Sequence, residues 1–163
     1  TFNSLINACS KADNLDRAEF WLCAMRSRGL SPDVVSYGTV IHASMVQQQP
    51  VRAQRLLEEM RKHEVAGSGQ SSTFCYTSVV EAWARSGDTV AAGRWLSEML
   101  DLGMEAPGSC FYAVIEACFK QGQFAEAEKW KGIMKEKGLS VAGLSSKMRA
   151  KHAAKKPAHS TRR

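Results

Sequence analysis

Two glutamates, Glu81 and Glu116, stand 35 residues apart, and a carboxylate pair is what general acid–base chemistry needs. They occupy one column of a repeating pattern, however, and read as a repeat feature rather than an acid/base pair. His42 has no second His, Cys or carboxylate at ligand spacing, so it reads as a surface or packing histidine. Five cysteines, Cys9, Cys23, Cys75, Cys110 and Cys118, contain no CxxC pair and have no His-rich cluster beside them. They read as small apolar core residues of a protein kept in a reducing compartment. A Gly-rich run from Ala66 to Ser72 lacks the GxxxxGKS/T pattern and follows no strand, so it is not a phosphate cradle. Neither a nucleophile constellation nor a deaminase-type metal signature is present. The sequence therefore predicts no catalytic group, metal, cofactor or small-molecule substrate, and any enzymatic chemistry of a larger protein would lie outside this chain.

The elements that position side chains here are repeats. Ala8, Ala43, Ala82 and Ala117 step by 35, 39 and 35 residues, and so do Ala18, Ala53, Ala92 and Ala127, and Met25, Met60, Met99 and Met134. Three columns sharing one odd step define four copies with a four-residue insertion between the second and third. Copies run over residues 1–33, 34–72, 73–107 and 108–142, with the insertion near 64–72. Leu5, Ile6, Ala8, Cys9 and Ala12 form one helical stripe, and Leu15, Ala18, Leu22 and Met25 form a second. Asp13 or Asn14 can cap the second helix, Gly29 can end it, Pro32 forbids its continuation, and Pro50 opens the second helix of the next copy. Each copy is thus a helical hairpin that cannot bury both stripes alone. Stacked hairpins bury a continuous core, which makes the expected fold all-α, a right-handed α-solenoid. Trp21, Leu56, Trp95 and Trp130 fill one bulky column that reads as core. The insertion is expected to form a long, flexible loop at 66–72.

Composition fits such an array: 163 residues, 44% hydrophobic, with no apolar run near the ~20 residues a membrane helix needs. The net charge of +6 belongs to the end of the chain. Residues 143–163 hold seven Lys or Arg and no acid, which leaves 15 basic and 16 acidic residues in 1–142. Lys147, Arg149, Lys151, Lys155, Lys156, Arg162 and Arg163 form a basic tail, expected to be largely disordered and to supply non-specific affinity for a polyanion. Starting on Thr1, inside the first copy, the chain reads as a fragment without a targeting segment.

The first copy, FNSLINACSKADNLDRAEFWLCAMRSRGLSPDVVSY, resembles the pentatricopeptide repeat family, RNA-binding helical solenoids, and the SPDVVSY junction is its most specific segment. The 34-residue tetratricopeptide repeat is a weaker match, because its Trp and Leu-Gly positions are missing from the first helix. The resemblance implies a groove lined by first helices in which each repeat reads about one base of single-stranded RNA. Base-edge positions would fall on Asn3, Gly38, Thr77 and Tyr112, and the second reading position on Asp33, Ser72 (or Ser68, given the insertion), Pro107 and Ala142. Apolar residues wedging between bases would be Val35, Phe74 and Ser109; phosphates would meet Lys11, Arg85 and Lys120, with Val46 in the same column. Asn3 with Asp33 is the one standard pair, associated in the family with uridine. The implied roles are organellar RNA processing, stability or translation, in a mitochondrion or plastid. Alternatives are a protein-interaction scaffold, or the RNA-binding module of a larger enzyme such as protein-only ribonuclease P.

Overall fold

A computed structural model describes residues 1–63 and 69–141, with the backbone alone at 69–71. Among the described residues eight helices follow one another: α1 (Phe2–Lys11), α2 (Leu15–Ser27), α3 (Val34–Val46), α4 (Pro50–Lys62), α5 (Gly69–Ser86), α6 (Thr89–Asp101), α7 (Gly108–Lys120) and α8 (Phe124–Glu136). They form four antiparallel hairpins, and no strand occurs among the described residues. The first helices α1, α3, α5 and α7 pack on one another in sequence, whereas successive second helices meet far less. Tight spacing in one layer and wider spacing in the other curve the stack into an α-solenoid, with the first helices on the inner, concave side. No helix among the described residues is long and apolar enough to cross a membrane.

The columns explain the spacing. Ala18, Ala53, Ala92 and Ala127 are all fully buried, as are Met60, Met99 and Met134. Small residues let helix axes approach where a Leu would overpack at a cost of about 1–3 kcal/mol. A further column was not anticipated: Phe2, Tyr37, Tyr76 and Phe111 step by the same interval, and the first, third and fourth meet their own hairpin's tryptophan. Phe2 packs edge-on to Trp21, Tyr76 to Trp95 and Phe111 to Trp130, at centroid distances of 6.0, 5.9 and 6.4 Å. Across the wider second-helix layer, long ionic side chains bridge the gap. Arg26 pairs with Glu59, Arg52 with Asp16 and Glu19, Arg55 with Glu19, and Arg61 with Glu98.

Local signals place the ends as expected. Asn14 caps α2 by accepting from the Arg17 N–H at 3.0 Å, and Pro50 occupies the first turn of α4. Gly29, Gly103 and Gly138 take φ near 70°, and the next residue donates back to the Met carbonyl of its column, as Leu30 does to Met25 at 3.0 Å. The Met column is therefore also where α2, α6 and α8 are closed.

Four expectations need correction. The insertion does not form a loop through residue 72: α5 begins at Gly69 and is 18 residues long against 13 in α3 and α7. Four residues make about one helical turn, so the insertion lengthens α5 at its start without rotating the residues that follow. In α1, Leu5 is 42% exposed, and Ala8 and Ala12 are also exposed, because no described helix packs on its outer side; Ile6 alone is buried there. Trp21 is likewise only half-buried, while Leu56, Trp95 and Trp130 are core. Cys75, Cys110 and Cys118 are core as expected, but Cys9 is half-buried and Cys23 is exposed on α2 near the Arg26 guanidinium.

Candidate nucleic-acid interface

The concave face is built from α1, α3, α5 and α7, and most of the predicted site lies on it. At its N-terminal edge Asn3, in the first turn of α1, meets Asp33, the residue that caps α3. The Asn3 amide donates to Asp33 Oδ2 at 3.4 Å, while Asp33 Oδ1 accepts from the Ser36 N–H at 2.7 Å. Ser36, 1% exposed, places its hydroxyl 2.7 Å from both Asn3 Oδ1 and Asp33 Oδ1 and donates its single proton to one of them. Asn3 is thus held by Asp33 through one N–H of its amide, with the other N–H and an oxygen lone pair left for a ligand. Partial burial alone would raise the Asp33 pKa. The Ser36 hydroxyl and N–H and the Asn3 amide outweigh it and hold the carboxyl below its usual 3.8. Thr1, not Asn3, caps α1, accepting from Ser4 N–H at 3.4 Å, so Asn3 is free of any capping role.

Next along the groove is a recess of about 650 Å³, lined from α1 by Asn7 and Lys11, from α3 by Val35, Gly38 and His42, and from α5 by Phe74. Val35 and Phe74 are 60% and 48% exposed, unusual for large apolar side chains, and both line this recess with Gly38. A Cβ on Gly38 would lie 3.5 Å from the Phe74 ring, so the missing side chain is what opens the recess floor. Further on, a smaller recess of about 290 Å³ collects Ser109, Tyr112, Arg85 and Lys120, together with Glu81 and Glu116.

Other predicted residues are committed elsewhere. Thr77 donates its hydroxyl to the Thr73 carbonyl of its own helix at 2.8 Å, and Tyr112 donates to the Ser140 carbonyl at 2.6 Å. Lys120 pairs with Glu116 at 3.3 Å. Lys11 and Arg85 are exposed. Pro107 is the exposed first boundary residue of α7 and offers no side-chain cap. Ser72, expected as a counterpart of Asp33, is 1% exposed inside α5. The extra turn has moved the helix start away from it, which corrects its assignment to base contact. Ser68, Ala142 and the tail residues Lys147, Arg149, Lys151, Lys155, Lys156, Arg162 and Arg163 lie outside the described residues.

Sequence reasoning missed two features of this face. Ser36 was not singled out, since one serine carries no signal until its neighbours are known. The column Asn7, His42, Glu81 and Glu116 keeps the 35, 39, 35 step, and all four line the two recesses one helical turn beyond the base-edge column. Its signal was present in the spacing. The thiols add no chemistry: burial pushes Cys75 up to about 12 and Cys110 to about 11, so both are packing groups at neutral pH.

The sequence matches the PPR repeat family over residues 1–45 and the PPR repeat over 35–65, 74–104 and 109–139. The chain belongs to the pentatricopeptide repeat family. A chloroplastic pentatricopeptide repeat-containing protein of Arabidopsis thaliana is 32% identical over 102 residues, which is 62% of this chain and 13% of that protein. The small ribosomal subunit protein mL103 of the same plant is 27% identical over 64% of this chain and 25% of its own length. The chain thus spans at most a quarter of these curated pentatricopeptide relatives. Among solved structures, the maize protein PPR10 superposes with a TM-score of 0.78 at 23% identity, over 92% of this chain and 22% of that one. The pentatricopeptide domain of Arabidopsis protein-only RNase P 1, solved with tRNA, superposes with a TM-score of 0.73 at 13% identity, over 94% and 77%. At these identities the structural likeness speaks for the fold.

Proposed function

We propose that this pentatricopeptide repeat array binds single-stranded RNA along the groove formed by α1, α3, α5 and α7, with about one nucleotide per repeat. The observation that carries the reading is the Asn3–Asp33–Ser36 cluster. It fixes an amide at the groove edge with unused donor and acceptor capacity, which suits the mixed donor and acceptor edge of uridine. Exposed Val35 and Phe74, which line the recess with Gly38, supply surfaces on which bases stack. Relatives support it: PPR10 has been solved with an 18-nucleotide RNA element, and the protein-only RNase P domain with tRNA. The chloroplastic relative supports an organellar setting, and the family resemblance implies a role there in RNA processing, stability or translation. The repeats act as a binding module, and any catalytic domain would lie outside them.

A protein-interaction scaffold is the second reading. It is favoured by Glu81 and Glu116 in the far half of the groove, where they would repel phosphates, and by the committed hydroxyls of Thr77 and Tyr112. Fluorescence anisotropy with labelled single-stranded and duplex RNA separates the two. Saturable, salt-sensitive binding of single strands, strongest with a uridine and weakened by Asn3→Ala, is expected. Equal affinity for both forms, unaltered by Asn3→Ala, leaves the scaffold.

A further inference from the structure

Gly38 stands where a repeat of this family would place a base-edge side chain, and it has none. One turn later on the same face of α3, His42 lies in the same recess and stacks on Phe74 with ring centroids 5.4 Å apart and planes 6° from parallel. That centroid distance with parallel planes is an offset stack, so the imidazole covers part of one Phe74 face and leaves the rest open. Gly38 adjoins the same ring, since a Cβ there would sit 3.5 and 3.8 Å from Phe74 Cδ1 and Cε1. Both residues belong to α3, and both approach Phe74 from the side of the second repeat. A base laid over the exposed part of the ring, beside Gly38, is then coplanar with the imidazole and edge to edge with it. Hydrogen bonds of imidazole nitrogens lie in the ring plane, and no hydrogen bond engages either His42 nitrogen among the described residues.

We propose that His42 is the specificity-determining residue of the second repeat and that its subsite takes a purine, with the imidazole N–H donating to purine N7. This rests on the RNA-binding reading above. Two features select the purine. Without a side chain at 38 the recess is about 650 Å³, against about 290 Å³ around Tyr112, and the larger base gains more stacking against Phe74 and Val35. N7 is an acceptor present in both adenine and guanine and absent from pyrimidines. Lys11, across the recess on α1, is placed for the adjoining phosphate. In the equivalent positions of the third and fourth repeats stand Glu81 and Glu116, which can only accept when ionised, and in the first stands the amide of Asn7, so a ring donor here is particular to repeat two among the described first helices.

The test scans a single adenosine, and separately a single 7-deazaadenosine, through each position of a short pyrimidine RNA containing one uridine, by competition anisotropy with the full chain. One position is expected to favour adenosine over a pyrimidine by about tenfold, within the range of a good base-edge contact, and 7-deazaadenosine is expected to lose most of that gain. His42→Phe keeps a ring against Phe74 and removes the donor; it should bind adenosine and 7-deazaadenosine alike at that position, with unchanged thermal unfolding and unchanged uridine preference. If 7-deazaadenosine matches adenosine with the unmodified protein, or if His42→Phe keeps the discrimination, the inference is overturned while RNA binding stands. If none of the RNAs binds, the uridine oligonucleotides included, both readings fall together.

Discussion

At the scale of single residues, Asn3 and Asp33 touch each other yet do different work. Asp33 caps α3 through Ser36 N–H, so Asp33→Ala should cost about 0.5–2 kcal/mol in chemical denaturation. Asn3 caps nothing, and Asn3→Thr should leave stability nearly unchanged while, as the family resemblance implies, base preference moves from uridine toward guanosine. Discrimination of about 1–3 kcal/mol is at stake by analogy with base-edge readout in DNA. An Asn3→Thr protein that loses stability with an unaltered preference would make Asn3 structural. The Asp33 carboxyl also predicts a pH dependence. Its folded pKa lies below the ordinary 3.8, so the charged form is favoured by folding. The stability it contributes is present above about 3.8 and lost as pH falls through the lower folded value. Acid titration of unfolding should show a shallower loss below that pH in Asp33→Asn than in the unmodified chain. At the other end of α3, Gln48 takes φ 55°, where the third and fourth repeats have Gly87 and Gly122. A non-glycine residue in this region is strained by about 1–2 kcal/mol, partly offset by glycine's greater entropy when unfolded. Gln48→Gly should therefore raise stability by up to about 1 kcal/mol in the same denaturation assay.

At the scale of elements, the extra turn of α5 distinguishes the joint between the second and third repeats. The turns of repeats one and two are tied by Gln47 Nε2 donating to the Asp13 carbonyl at 3.0 Å, and those of three and four by Gln121 donating to the Gly87 carbonyl. Ser86 holds the corresponding place in the third repeat and instead donates to Trp83 of its own helix. The middle joint relies on the long α5 and on Gln54, whose Oε1 accepts from both Trp83 and Trp95 at 3.1 and 3.2 Å. Because α5 starts at Gly69, the amides of Thr73 and Phe74 lie inside the helix, while the equivalent amides of Gly108 and Ser109 are in the first turn of α7. First-turn amides have no intrahelical acceptor. Hydrogen exchange at Thr73 and Phe74 should accordingly be slower than at Gly108 and Ser109; equal rates would mean that the extra turn is not stably formed.

Across the whole molecule, charges of both signs line one groove. Its first half offers Lys11 with Asp13, beside Asn7 and His42, and its second half Arg85 and Lys120 with Glu81 and Glu116, Lys120 being partly neutralised by Glu116. Each phosphate neutralised on a single strand adds about 0.7 to the slope of log affinity against log salt. Lys11→Ala should thus lower the slope by about that amount. Lys120→Ala should lower it less, and Glu81→Gln with Glu116→Gln should tighten binding several-fold at low salt. Removal of residues 144–163, with their seven cations, is expected to lower the slope most, and an unchanged slope would mean that the tail does not contact RNA.

Much of this molecule was legible in one dimension. The 35, 39, 35 columns, the apolar stripes, Asn14, Pro50 and Gly29 all act through contacts within a turn or two of helix or through a spacing repeated four times. Their consequences, hairpins and a solenoid, follow from local geometry and the need to bury both stripes. Tertiary structure alone decided what depends on two repeats meeting. It turned the end of the insertion into a helical turn, and so buried Ser72. It brought Ser36 between Asn3 and Asp33, spent the Tyr112 hydroxyl on Ser140, and laid His42 against Phe74 over the gap left by Gly38. A residue's column tells which face of its helix it occupies; what it touches there is set by the neighbouring repeat, 35 or 39 residues away.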